Sequence, residues 1–288
     1  MLVMKLGMLV MREMLGMRPK MLAMGPAIEI RAGATRVTII PVRESPGIAD
    51  ISLVLALDTT TRAGSVAVTR DDSVLALVEG DATRTHAERL PGEIEDALQR
   101  AGIQAAELDV LVVSSGPGAF TGLRIGLAAM QGLAMVLAKP VVGVSALDAL
   151  ADAARAEGQV AIGAPIATWM DAARGEVFAA AYRARADDPE QVMEPLVGPP
   201  GEMLHALPFA IGDRVTFIGD GALRYRDQIE HARPLTCIIE PMPLLAPALA
   251  RLGRRRAAAG SAGPPHALQP LYVRRPDAEL DRERQANV

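Results

Sequence analysis

The chain has 288 residues, half of them hydrophobic, 22% charged and only 3% aromatic, with a net charge of −4. This is the composition of a folded globular protein and excludes wholesale disorder. A single cysteine, Cys237, excludes an internal disulfide and a cysteine-built zinc cluster, and the four histidines show no pair at metal-ligand spacing.

The charge is unevenly spread. Residues 1–50 carry seven Lys or Arg and four Asp or Glu, a balance of +3, so residues 51–288 sum to −7. An acidic body is a poor footprint for gripping nucleic acid unaided. No stretch reaches about 18 residues without a charge, so no membrane-spanning helix is expected. Eight of the 14 methionines lie in the first 24 residues, spaced by three or four. That spacing would set a thioether stripe on one helix face, an adaptable partner surface. Lys5, Arg12 and Glu13 interrupt it too early for a secretory signal. Residues 1–50 read as a poorly ordered leader or an overlong gene start, with no assigned role.

At residue 51 the pattern becomes regular. Residues 51–57 are an apolar run ending in Asp58 and predict a buried strand. A polar turn at 59–64 and strands at 65–69 and 74–78 complete a β-meander. A helix starts near Thr85, which has capping-box spacing to Glu88. Leu90, Ile94, Ala97, Leu98 and Ala101 form its apolar stripe, and Gly102 stops it. Residues 108–113 predict a strand running into Gly116-Pro117-Gly118. Residues 123–138 predict a helix that is apolar nearly all round, and so is either core or buried against a partner. A strand at 140–144 and a helix from Ser145 through Ala156 follow. Such alternation implies right-handed crossovers and parallel strands. Residues 160–170 and 176–182 predict a hairpin turning at 171–175. Residues 187–200 read as a loop, and 215–218 as a strand before a tight Gly219-Asp220-Gly221 turn. Residues 243–259 predict a helix ending in Arg254-Arg255-Arg256, and the tail from Gly260 reads as extended.

Two segments have phosphate-binding chemistry. The Asp58-Thr59-Thr60-Thr61 loop offers hydroxyls and turn amides, and an aspartate at a strand end can hold a hydrated Mg²⁺. The same residues also serve as ordinary turn chemistry. In the second segment Gly116, Gly118 and Thr121 lie between a strand and a helix N-terminus, an anion-binding arrangement. It lacks the lysine of a P-loop and the spacing of a dinucleotide fold. The glycines also suit a crowded turn, with Thr121 capping the helix. No nucleophile has a base nearby in sequence, so no catalytic residue is assigned. Cys237 reads as buried filler, His86 as an exposed helix-start residue and the triple arginine as a solvated helix end.

Several ordered motifs together carry a resemblance. They are Leu55-Ala56-Leu57-Asp58-Thr59-Thr60-Thr61, Arg84-Thr85-His86-Ala87-Glu88-Arg89-Leu90-Pro91 and Ser115-Gly116-Pro117-Gly118-Ala119-Phe120-Thr121-Gly122-Leu123-Arg124. Pro140–Ser145, Asp171–Phe178 and Pro270–Arg274 add to them. Across residues 53–276 the chain resembles the TsaB (YeaZ-like) family of tRNA threonylcarbamoyladenosine biosynthesis.

The resemblance implies an α/β chain with the actin-like ATPase (ribonuclease-H-like) fold and two related lobes. Residues 51–156 would form the N-terminal, partner-binding lobe, and 157–288 the C-terminal lobe and tail. It implies a non-catalytic scaffold subunit in the cytoplasm, partner of the TsaD transferase that modifies N6 of adenosine at tRNA position 37. TsaE joins the assembled complex, tRNA is engaged through it, and a homodimer is a further option. The alternative is a small actin-like ATPase or kinase.

TsaD carries a His-Leu-Glu-Gly-His metal motif where this chain has Ala146 and Leu150 at the histidine positions. No metal site is therefore expected. No cofactor is expected for the chain alone, with ATP and Mg²⁺ acting at the level of the complex. Asp58, Thr59, Thr60, Gly116, Gly118 and Thr121 would be remnants of phosphate loops. In the family, helices of the N-terminal lobe pair with TsaD. Leu90, Ile94, Leu98, Leu127, Met130 and Ala134 are accordingly expected at that interface.

Overall fold

The computed structural model describes strands β1 (Ile28–Ala32) and β2 (Thr35–Ile39) and residues 51–274 apart from 157 and 159. The methionine stripe and the residues beyond 274 lie outside the described residues. Within the first fifty, β1 and β2 pair as an antiparallel hairpin, which the leader reading did not anticipate.

The run Leu53–Asp58 forms β3, followed by β4 (Ser65–Arg70) and β5 (Ser73–Glu79). These three are antiparallel neighbours, the expected meander. Helix α1 (His86–Ala101) opens on the Thr85/Glu88 capping box, the Thr85 N–H donating to the Glu88 carboxylate at 3.0 Å. It closes on Gly102, whose φ of 66° is the left-handed cap conformation. Then come β6 (Val110–Gly116), α2 (Phe120–Leu137), β7 (Val141–Ser145) and α3 (Ala146–Ala156). The first sheet has the order β5-β4-β3-β6-β7, with β3, β6 and β7 parallel.

The second sheet repeats this plan. Strands β8 (Pro165–Asp171), β9 (Val177–Arg183) and β10 (Glu190–Gly198) form an antiparallel meander. Helix α4 (Pro200–Ala206) follows, then β11 (Thr216–Ile218), α5 (Asp220–Arg224), α6 (Arg226–Ala232) and β12 (Cys237–Ile238). Its order is β10-β9-β8-β11-β12, with β8, β11 and β12 parallel. The two lobes are thus related, each a three-stranded meander continued by parallel crossovers.

Side-chain alternation explains the layers. On β3, Val54 and Ala56 face the space between the sheets, which α3 and α7 (Ala246–Ala258) fill. Leu55 and Leu57 face the opposite way, toward α1 and α2. A strand covered on both faces must be apolar throughout, which is why residues 53–57 show no alternation. On the outer face of the second sheet, Trp169, Phe217 and Ile229 form a third core. Helix α2 has the length and mean hydropathy (1.4) of a membrane span, but half of it is buried inside the protein.

Several expectations need correction. Residues 187–200 hold strand β10, an edge strand with two register shifts, the second of which, between Met193 and Leu196, spans Pro195. Helix α2 begins at Phe120, so Thr121 is its exposed second residue rather than its cap. Cys237 is exposed on edge strand β12, not buried filler. The triple arginine is ion-paired rather than solvated. Arg255 reaches Asp152 at 2.9 Å and Asp188 at 2.6 Å, Arg256 reaches Asp148 at 2.6 Å, and Arg254 reaches Asp72 at 2.7 Å. Finally, α7 returns to the first sheet, so residues after 243 do not stay with the second lobe.

Candidate functional site

A cleft of about 600 Å³ opens between the lobes. One wall is the β3–β4 turn (Thr60, Thr61, Arg62) and the loop Pro117–Phe120. The other is the β8–β9 hairpin (Asp171–Arg174) with Asp220 at the start of α5. The C-terminal segment Leu271–Arg274 crosses the mouth.

The structure brings the two expected phosphate loops together but turns them on each other. Asp58 is buried, and its carboxylate accepts the Thr60 N–H (2.9 Å), the Thr60 hydroxyl (2.5 Å) and the Thr61 hydroxyl (3.2 Å). Burial raises its pKa above the ordinary aspartate value, against these hydrogen bonds. Thr59 is fully buried against Gly126 of α2. The Thr60 carbonyl accepts the Ala119 N–H at 3.1 Å. A Cβ on Gly118 would come within 2.4 Å of Thr60, so glycine is required there for the loops to close. Gly116 has φ 111°, and a Cβ would come within 2.8 Å of the Leu271 carbonyl. Of the six expected residues, Thr60 and Gly118 line the cleft, while Asp58 and Thr59 lie beneath it. A buried carboxylate engaged by three hydrogen bonds from its own turn is poorly disposed to hold a Mg²⁺–phosphate ligand.

Behind this wall lies a polar staple. Arg89 is 4% exposed. Its guanidinium pairs with Glu93 at 2.5 Å and donates to the carbonyls of Arg62 (3.1 Å) and Ala63. It also donates to Nδ1 of His86 at 2.8 Å. That leaves Nε2 of His86 to carry the proton it donates to the Thr61 carbonyl at 3.1 Å. Burial first, then the Arg89 charge, lowers the His86 pKa. His86 is therefore a half-buried strut of the turn and not an exposed helix-start residue.

The second wall was missed as a site. Its segments read as turns, 171–175 as a hairpin and 219–221 as a tight bend, and Asp171–Phe178 otherwise only as part of the family resemblance. Ala173 and Arg174 both have positive φ (57° and 55°), which presents Arg174 at the hairpin tip. The Asp171 carboxylate pairs with Arg224 at 2.6 Å, while Asp220 accepts the Asp171 N–H at 2.9 Å. Burial, and the nearby Asp171 charge to a smaller extent, push the Asp220 carboxyl upward.

The six residues expected at a partner interface are largely buried within the chain itself. Leu90, Ile94, Leu98, Leu127, Met130 and Ala134 are all under 10% exposed, and Met130 is fully buried. They fill the core between α1, α2 and the first sheet. What α1 and α2 offer outward is a shallow apolar groove. Leu90 and Ile94 line it together with Ala87, Ile125, Ala129 and Leu133. Val136 stays 42% exposed further along α2.

A protein-family model described as "TsaD: tRNA N6-adenosine threonylcarbamoyltransferase" matches residues 78–237. The chain is 36% identical over 233 residues to an uncharacterised Mycobacterium tuberculosis protein, covering 80% of this chain and 95% of that one. It is 30% identical to the Bacillus subtilis tRNA threonylcarbamoyladenosine biosynthesis protein TsaB, covering 78% of this chain and 96% of that one. The solved structure of YeaZ from Pseudomonas aeruginosa superposes with a TM-score of 0.66 at 29% identity, covering 77% of this chain and 99% of that one. On motifs, sequence and fold together, the chain belongs to the TsaB (YeaZ-like) family of tRNA threonylcarbamoyladenosine biosynthesis proteins.

Proposed function

We propose that this chain is a non-catalytic subunit of a cytoplasmic complex that forms N6-threonylcarbamoyladenosine at tRNA position 37. Its partner is a TsaD-type transferase, and a TsaE-type ATPase joins the pair. The chain contributes surface rather than chemistry. The observation that carries this is the groove between α1 and α2, floored by Leu90 and Ile94 and continued by exposed Val136. An apolar strip on paired helices suits a helical partner. The closed phosphate loops support a role without nucleotide turnover by the chain alone, ATP and Mg²⁺ acting elsewhere in the complex. At the positions of the transferase's metal-binding histidines, Ala146 and Leu150 are fully buried apolar residues that pack between the sheets.

Co-purification with the TsaD-type protein of the same organism tests the pairing. Ala87→Glu and Val136→Glu place charges at the groove without touching the core, and should abolish capture while the chain stays folded. Unchanged capture by both variants would reject the groove. If instead they disrupt a homodimer and leave transferase capture intact, the groove holds a second copy of the chain.

A further inference from the structure

The chain has eight aromatic side chains, and among the described residues only two are more than a third exposed. Those two, Phe120 (43%) and Tyr272 (38%), lie against each other at the cleft mouth. Their ring centroids are 5.6 Å apart and their planes 27° from parallel. The guanidinium of Arg124 stacks on Phe120, 3.9 Å from its centroid, and its Nε donates to the Tyr272 hydroxyl at 3.1 Å. Arg62, on the neighbouring turn of the same wall, is held by a 3.0 Å hydrogen bond from Nε to the Ala82 carbonyl.

The electrostatics of this spot run against the rest of the body. The exposed carboxylates around it are matched, Asp171 by Arg224 and Glu176 by Arg274, and Asp220 turns to backbone amides. Among the described residues, neither Arg62 nor Arg124 has a carboxylate within ion-pair distance. Among the described residues, two guanidinium groups beside the two exposed rings thus lack a carboxylate partner. Flat rings take up bases by stacking, and guanidinium groups with spare donors take up phosphates. An acidic protein partner would use the cations but would have no need of the rings.

We propose that the cleft mouth is a direct contact for single-stranded RNA, with Phe120 and Tyr272 stacking a base and Arg62 and Arg124 meeting the flanking phosphates. The proposal deepens the reading of this chain as a tRNA-modification subunit and rests on it for the RNA's identity. Unpaired loop nucleotides, not duplex, expose the base faces such a surface needs.

Fluorescence anisotropy of the full-length chain with a labelled single-stranded RNA oligonucleotide, and with an unmodified tRNA transcript, tests this across a salt series. Tyr272→Ala and Phe120→Ala should each weaken binding about tenfold, and Tyr272→Phe should restore most of it. Arg62→Ala should lower the slope of log affinity against log salt by about one, a readout that a merely structural role would not move. Arg62 is exposed, so that variant remains informative even if Tyr272→Ala melts early. No binding at roughly 100 µM chain, or equal binding by every variant, overturns the proposal. So does a result in which the variants lose transferase capture but keep RNA binding, which would mark a protein-docking surface. RNA binding through these residues by a chain that captures no transferase would uphold the site and overturn the subunit reading.

Discussion

The N–H of Ala119 donates to the carbonyl of Thr60 at 3.1 Å, so the two glycine- and threonine-rich loops of the first lobe are bonded to each other. In an anion site that N–H would be left for the ligand. Isothermal titration of the isolated chain with ATP and Mg²⁺ should therefore show no binding tighter than about 1 mM. Micromolar affinity with turnover would favour the ATPase or kinase reading instead. Gly118→Ala, forced against Thr60, should cost about 1–3 kcal/mol in chemical denaturation.

Met130 and Val136 lie on one helix with opposite fates. A carboxylate at the fully buried Met130 position has no partner within the core formed by α1, α2 and the first sheet. Met130→Glu should leave the chain unfolded or aggregated at 25 °C, as burial of an unpaired charge predicts. Val136→Glu should melt within a few degrees of the parent. Circular dichroism melts separate the two, and a folded, stable Met130→Glu protein would contradict the burial described here.

The neutral imidazole of His86 is the form that accepts from Arg89 and donates to Thr61. Its folded pKa is lowered by burial and by Arg89, with the Thr61 carbonyl, then Asp58 and Glu93, opposing more weakly. The unfolded chain therefore takes up a proton near pH 6.5 while the folded one does not. That contribution to stability is complete above pH 6.5 and declines as the pH falls below it, until the folded imidazole protonates. His86→Gln should remove this acid-side slope from a pH series of melting temperatures. Parallel pH profiles for the two proteins would refute the assignment.

Asp152 has no exposed surface and accepts from three arginines: Arg155 at 3.1 Å, Arg251 at 2.8 Å and Arg255 at 2.9 Å. Asp152→Ala removes the carboxylate shared by three guanidinium groups where α3 meets α7, leaving Arg255 with Asp188 alone. The expected loss is about 3–5 kcal/mol, read from urea denaturation. Arg254→Ala, whose partner Asp72 is exposed, should cost under about 1 kcal/mol.

Much of the first lobe was legible because its signals are local. Thr85 and Glu88 are three residues apart, and the bonds they exchange need no other part of the chain. Residues 53–57 announce a strand covered on both faces by lacking alternation. The cleft was legible only by half. Its second wall combines Asp171, Arg174, Asp220 and Tyr272, residues separated by up to a hundred positions, and no periodicity records that they meet. The expected partner face is a different case: Leu90 and Ile94 line the outward groove, whereas Met130 is fully buried. A helix apolar on all sides does not say which side meets the sheet, so Met130 and Val136 look alike until the layers are assembled. Arg255 likewise reads as a solvated charge, because its partner Asp152 lies 103 positions away.

The return of α7 to the first sheet has a consequence for how the protein is made. Gly253 packs so closely on Val112 that a Cβ would come within 2.3 Å, and Gly263 pairs with Val141 through two 3.1 Å backbone bonds. One face of β3 and β6 is thus roofed by residues that leave the ribosome after the whole second sheet. A nascent chain halted at Ala156 presents Val54, Ala56, Val110 and Val112 without that cover. The lobe that is synthesised first is therefore finished last, and its half-built state is the one most in need of a chaperone.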